Sequence, residues 1–109
     1  MLSVMLMSLA LLSQQDTYKL TAYAACPKCC GYKRVYLTKM QTKADYRRRI
    51  VAVDPRHIRL GSRIYIKGYG YYRAEDTGRL VKGHHIDILM KSYWQAKQFG
   101  KQQGKVVIV

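Results

Sequence analysis

At 109 residues the chain is one domain's worth of polypeptide, with room for a single modest core and none for a second catalytic domain. Twenty Lys and Arg face six Asp and Glu, a formal charge of +14, while 49% of the residues are apolar types. That balance excludes a solvated basic tail and describes a folded basic domain whose partner is anionic: nucleic acid, acidic lipid surfaces and the anionic polymers of a cell wall all qualify.

The run from Leu2 to Leu12 is apolar apart from Ser3 and Ser8. It is too short for a bilayer span of about twenty residues and has the length of an export-signal core. No Lys or Arg precedes it, and Ser13-Gln14-Gln15 offers no clean small-x-small cleavage site, so an apolar N-terminal segment packed on the core is the alternative. Residues 1–16 are therefore set aside as an export signal or N-terminal extension, residues 17–109 are expected to form the domain, and no membrane span is expected. Cys26, Cys29 and Cys30 give no disulfide framework, being odd in number and crowded together. Cys26-Pro27-Lys28-Cys29 has zinc-knuckle spacing, yet no second Cys pair or closely spaced His pair completes four ligands, and His57, His84 and His85 are far away in sequence. Neither a metal nor another cofactor is expected.

From Thr17 onward, β-branched and aromatic runs are broken repeatedly by Gly, Pro and charge. Tyr18 to Tyr23 alternates, Arg49 to Val53 is a buried-type run, and Arg63 to Lys67 alternates again. Gly68-Tyr69-Gly70 reads as a turn into a strand at Tyr71 to Ala74. His84 to Leu89 and Lys105 to Val109 complete six strands. One helix is predicted between, with Ser92 as its cap, Gln95 three residues on, and Gly100 as its stop. Trp94, Ala96 and Phe99 offer this helix an apolar patch. The fold class is mainly β: a small six-stranded β-barrel with one short helix near the C-terminus.

Four of the six carboxylates, Asp54, Glu75, Asp76 and Asp87, fall between residues 54 and 87. Asp54 precedes Pro55 as an N-cap precedes Pro at the first helical position, which favours a structural role. Asp76-Thr77-Gly78 is a turn sequence whose Asp bonds backbone two residues on, or else a functional carboxylate. Asp87 interrupts a strand whose Ile86 and Ile88 look like core, and it shares its own face with His85 and Leu89. If that face lines a groove, desolvation raises the carboxyl's proton affinity, as a general acid near neutral pH requires. Asp87 is therefore the first catalytic candidate. The Asp-Thr-Gly triplet also suggests half of an aspartic-protease dimer, but Ala74-Glu75 before it and the lack of a later apolar-Gly-Arg segment argue against that.

Four blocks together resemble one family: Val51-Ala52-Val53-Asp54-Pro55, Ile58-Arg59-Leu60-Gly61-Ser62, Ala74-Glu75-Asp76-Thr77-Gly78 and Lys82-Gly83-His84-His85-Ile86-Asp87-Ile88. In order and spacing they are similar to the three-Asp (3D) domain, a double-psi β-barrel related to the lytic transglycosylase MltA and the RlpA-like barrels. Thr21-Ala22-Tyr23, Lys28-Cys29-Cys30-Gly31 and Gln98-Phe99-Gly100 are weaker matches. The resemblance implies that Asp54, Asp76 and Asp87 are the family's three aspartates and that Asp87 is the catalytic acid, with Asp76 assisting and Asp54 a supporting carboxylate. Thr21, Tyr23, Thr77, Gly78, Lys82 and His85 are the expected substrate contacts. The implied reaction cleaves the β-1,4 bond between N-acetylmuramic acid and N-acetylglucosamine without adding water, leaving a 1,6-anhydro end, and needs no cofactor. Leu37 to Lys43 stands where such domains often carry a Gly-rich segment, and Arg79 where a second Gly often follows Asp-Thr-Gly.

The partner implied is the peptidoglycan glycan strand, with anionic wall polymers as further partners of Arg47, Arg48, Arg49, Arg56, Arg59 and Arg63. The location implied is secreted or attached to the cell envelope. A nucleic-acid-binding barrel would use the ten Tyr interleaved with Lys and Arg to stack bases. That reading leaves the Asp spacing unexplained and sets acids in a phosphate groove, so nucleic acid is not the expected partner. A non-catalytic glycan-binding barrel is the second reading.

Overall fold

Alternation makes the first strand. In the computed structural model, which describes residues 15–25 and 37–109, β1 runs Asp16–Ala24 with Tyr18, Leu20 and Ala24 buried and Lys19 exposed between them. The apolar run at 2–12 and the three cysteines lie outside the described residues. A 3-10 turn, Tyr46–Arg48, is capped by the Asp45 carboxylate accepting from the Arg47 N–H. It feeds β2 (Ile50–Ala52), every residue of which is buried, as its apolar composition requires. The strands β3 (Arg63–Ile66) and β4 (Gly70–Asp76) form a hairpin, and β5 (His85–Met90), the helix α1 (Tyr93–Phe99) and β6 (Gln102–Ile108) follow. β4 runs two residues beyond the expected end and β6 starts three residues earlier.

The six strands close into a barrel in the order β1-β5-β2-β4-β3-β6. The pairs β1/β5 and β2/β4 are parallel, and the other four seams are antiparallel. Because β6 returns to β1, no strand of the barrel keeps an open edge. The interior is filled by Leu20, Val51, Val53, Ile58, Ile64, Ile66, Ala74, Ile86, Ile88 and Val106, with the rings of Tyr18 and Tyr72. Burying each such aliphatic side chain stabilises the barrel by about 1.5–3 kcal/mol. Gly104 on β6 allows the tightest approach: a Cβ there would stand 2.6 Å from the Leu20 Cδ1.

The helix has the predicted ends. Ser92 Oγ accepts from the Gln95 N–H at 3.2 Å, and the Gly100 N–H donates to the Ala96 carbonyl with Gly100 at φ +64. Its packed face is corrected: Ala96 and Phe99 turn inward, but Trp94 is 67% exposed, with the Lys97 ammonium 5.7 Å from its ring. Two residues subtend about 200° of helix, so Trp94 and Ala96 cannot share a face. The cap-like Asp54-Pro55 pattern opens no helix. The His57 and Ile58 N–H groups donate to the Asp54 carbonyl in a single turn, which ends where Ile58 enters the core.

Candidate active site

Four adjacent strands bring the polar residues together on the outer face of the barrel. Asp87 on β5 is in register with Thr21 of β1 on one side and with Ala52 of β2 on the other. A bulge between Val51 and Ala52 moves the pairing on by one residue, so that Ala52 also stands opposite Asp76 of β4. Residues directly opposite share a face, so the two carboxylates flank a single methyl group. Ala52 is a residue that sequence reasoning missed, and only the pairing reveals its place.

The Thr21 hydroxyl lies 2.8 Å from Asp87 Oδ1 and 2.7 Å from His85 Nε2, and His85 Nδ1 is 3.3 Å from the Leu80 carbonyl. The Thr21 hydroxyl donates to Asp87 Oδ1 while its oxygen faces the His85 ring nitrogen, so one hydroxyl bridges the carboxyl and the imidazole.

Burial pushes the Asp87 carboxyl above the ordinary carboxylate range; the Thr21 hydrogen bond and the His85 charge oppose this, and the nearby Asp76 charge adds to it. Asp76 is differently held. Its Oδ1 accepts from the backbone N–H of Lys39 and of Thr77 at 3.0 and 2.9 Å, and its Oδ2 accepts from the Tyr23 hydroxyl at 3.0 Å. The turn expected to bond Asp76 to backbone two residues on is replaced by these contacts with its immediate neighbour and with the 37–43 loop. That loop, closed by a Leu37–Lys43 bridge, also donates the Met40 N–H to the Glu75 carbonyl.

Asp54 is buried and accepts four hydrogen bonds, from the Arg56 N–H, the Arg56 Nε and Nη2, and the Gly83 N–H. The Arg56 side chain, the Gly83 N–H and the Arg56 N–H hold its carboxyl far below the usual range. By gripping Gly83, Asp54 fixes the approach to β5 and with it the placement of His85 and Asp87. Of the remaining expected contacts, Thr21, Tyr23 and His85 join the network directly, and Thr77 joins through its backbone. Gly78 packs instead against Val81, whose Cγ2 would lie 2.8 Å from an added Cβ. Lys82 is exposed and takes no part in the network among the described residues. No group of three or more His, Cys, Asp or Glu is placed to hold a metal among the described residues. No described helix is long and apolar enough to cross a membrane.

A closed, basic six-stranded barrel that carries Asp54 just after β2, Asp76 at the end of β4 and Asp87 in the middle of β5 defines a three-aspartate barrel domain. The 3D domain profile matches residues 49–109. The chain belongs to the 3D domain family. It is 36% identical over 94 residues to YabE of Bacillus subtilis (strain 168), named for cell wall shaping, covering 85% of this chain and 22% of that protein. It is 34% identical over 97 residues to the cell wall-binding protein YocH of the same strain, covering 89% and 33% respectively. A third relative there, the SPbeta prophage-derived uncharacterized protein YorM, is 37% identical over 91 residues, 79% of this chain and 38% of its own length. The chain thus spans well under half the length of these relatives.

Proposed function

We propose that the domain is a peptidoglycan lytic transglycosylase of the cell envelope, with Asp87 as acid and then base. The observation that carries this reading is the setting of Asp87: a half-buried carboxyl that accepts from the Thr21 hydroxyl and is biased by burial towards keeping its proton. In the first step the Asp87 proton passes to the glycosidic oxygen as its bond to the muramic C1 breaks. In the second, the Asp87 carboxylate takes the proton of the C6 hydroxyl as that oxygen bonds C1, closing the 1,6-anhydro ring. The proton lent is returned, and no water is consumed. Hydrolytic glycosidases use two carboxylates at set separations. Here Asp76, already accepting three hydrogen bonds, serves better as an anchor and a negative neighbour than as a second catalytic group. Thr21 and His85 are positioning residues that set the proton state of Asp87.

The names of YabE and YocH support a wall partner, and the charge of +14 supports attraction to anionic wall polymers. A non-catalytic glycan-binding barrel is the second reading, favoured by YocH being a cell wall-binding protein. Mass spectrometry of purified peptidoglycan incubated with the domain, and separately with Asp87→Asn, decides between them. Anhydro-muropeptides formed only by the wild type are expected. Reducing ends would mean hydrolysis, and retained sedimentation with the wall material without products would leave the binding barrel.

A further inference from the structure

A second polar feature lies on the β3–β4 hairpin and takes no part in the Asp87 network. Arg48, Arg49, Arg63, Arg73, Tyr71 and Tyr72 line a pocket of about 370 Å³. Arg63 and Arg73 stand directly opposite each other on antiparallel strands, both exposed. Like charges in that register repel, so the pair costs stability unless an anion sits between or beside them. The described carboxylates do not supply it: Glu75 is taken by Arg48 at 3.0 Å, and Arg49, Arg63 and Arg73 form no salt bridge among the described residues.

The pocket is also built rather than merely crowded. Arg49 follows the 3-10 turn in the left-handed region at φ 57, and its guanidinium donates to the carbonyls of Tyr69 and Tyr71. It lies 4.1 Å from the centre of the Tyr72 ring. Gly70 makes room for it, since a Cβ at Gly70 would stand 3.1 Å from Arg49 Nη2. The Arg63 guanidinium is stacked 4.5 Å from the Tyr71 ring centre. The Arg49 guanidinium is therefore fixed in orientation before any ligand arrives, and the Arg63 guanidinium rests on a ring, which leaves their remaining N–H groups for the oxygens of a phosphate.

We infer that this pocket binds consecutive phosphates of a base-free polyanion, such as a polyol-phosphate or polyphosphate chain. The rings argue for the base-free form. A nucleobase needs an open aromatic face for stacking, whereas the half-exposed Tyr71 ring carries Arg63 and meets the Tyr65 ring at 5.0 Å between centres, and Tyr72 is buried beneath Arg49. The inference does not rest on the chemistry assigned to Asp87, because its readout is binding, and Asp87→Asn protein serves as well as wild type.

The test is fluorescence anisotropy with labelled inorganic polyphosphate, read across a series of salt concentrations. The variant Arg63→Gln/Arg73→Gln is expected to weaken binding at least about tenfold and to lower the salt slope by about 1.4, the loss of two phosphate contacts. Lys91→Gln/Lys101→Gln, which removes the same charge beside the helix, is expected to keep affinity within about twofold. Equal losses in the two variants would overturn the site in favour of general attraction, and an absence of polyphosphate binding by the wild type would overturn it outright. Oligothymidylate of equal charge binding as tightly, with tyrosine fluorescence quenched, would overturn the base-free ligand. Arg73→Gln alone leaves Arg63 on its ring and guards against misfolding. Without ligand it is expected to melt no lower than the wild type, and a lower melting point would overturn the claim that the opposed arginines are strained without an anion.

Discussion

Asp87→Asn is expected to make the barrel more stable at neutral pH while abolishing its chemistry. Burial raises the Asp87 ionisation above its ordinary value and the Asp76 charge adds to this, against the Thr21 hydrogen bond and the His85 charge. The folded state therefore keeps this proton to a higher pH than the unfolded chain, whose carboxyl titrates near about 3.9. With the folded value raised, the group's contribution is fully present below the unfolded value and is lost as pH rises through the folded one. At neutral pH the wild type folds around a charge its surroundings disfavour. Asparagine has the same shape, still accepts from the Thr21 hydroxyl and carries no charge, so a gain of about 0.5–2 kcal/mol is expected, in the range of removed functional strain. For a domain of this size each kcal/mol moves the melting temperature by about 4–8 °C. Thermal melts followed by circular dichroism from about pH 3 to neutrality measure the gap between variant and wild type, which should shrink towards zero at the acid end. A variant less stable than the wild type at neutral pH, or a gap independent of pH, would refute the burial argument.

Thr21→Val removes the hydroxyl that favours ionised Asp87, so turnover should fall about tenfold or more while the alkaline limb of the pH–rate profile moves to higher pH. A slower enzyme with an unmoved profile would reduce Thr21 to packing. Asp54→Asn should lower the melting temperature at neutral pH and flatten the acid limb of the stability curve. The Asp54 carboxyl is depressed, so its contribution is present above the unfolded value of about 3.9 and lost as pH falls through the folded one; an acid limb as steep as that of the wild type would contradict its role. Gly104→Ala should cost about 1–3 kcal/mol through overlap with Leu20, read as a lower urea midpoint at unchanged m. Adding Leu20→Ala should cost less than the two single losses combined, and strict additivity would show that the clash is not with Leu20.

Much of the barrel was legible because period-two alternation says which face of a strand is buried. Tyr18 and Leu20 marked β1, and Ile86 and Ile88 marked β5, in the sequence alone. Alternation says nothing about neighbours. The parallel pairing of β1 with β5 joins residues 66 apart, so the Thr21–Asp87 bond had no local signature, although His85 and Asp87 were already readable as sharing a face. The bulge at Val51 and Ala52 is likewise a property of two strands together, and it explains why β4 outran its expected end at Ala74 to carry Asp76. Trp94 was misplaced because apolar residues two apart look like a patch in a list and lie on opposite sides of a helix. Asp54-Pro55 carried a true helix-start signal, but Ile58 is drawn into the core before a second turn can form.

The seam between β1 and β6 has a mechanical consequence. Asp16 pairs with Val106 and Leu20 with Gln102, so the entry to β1 and the exit from β6 sit side by side at one end of an antiparallel ladder. A pull applied between those two ends would peel the ladder one rung at a time rather than shear it. The rung at Leu20 is the last of the described pairs, and the next residue is Thr21, the hydroxyl on which the Asp87 proton depends. Tension along the chain would therefore open the closing seam of the barrel before it reached Thr21, and a domain held taut at both ends would lose its closure before its acid was disturbed.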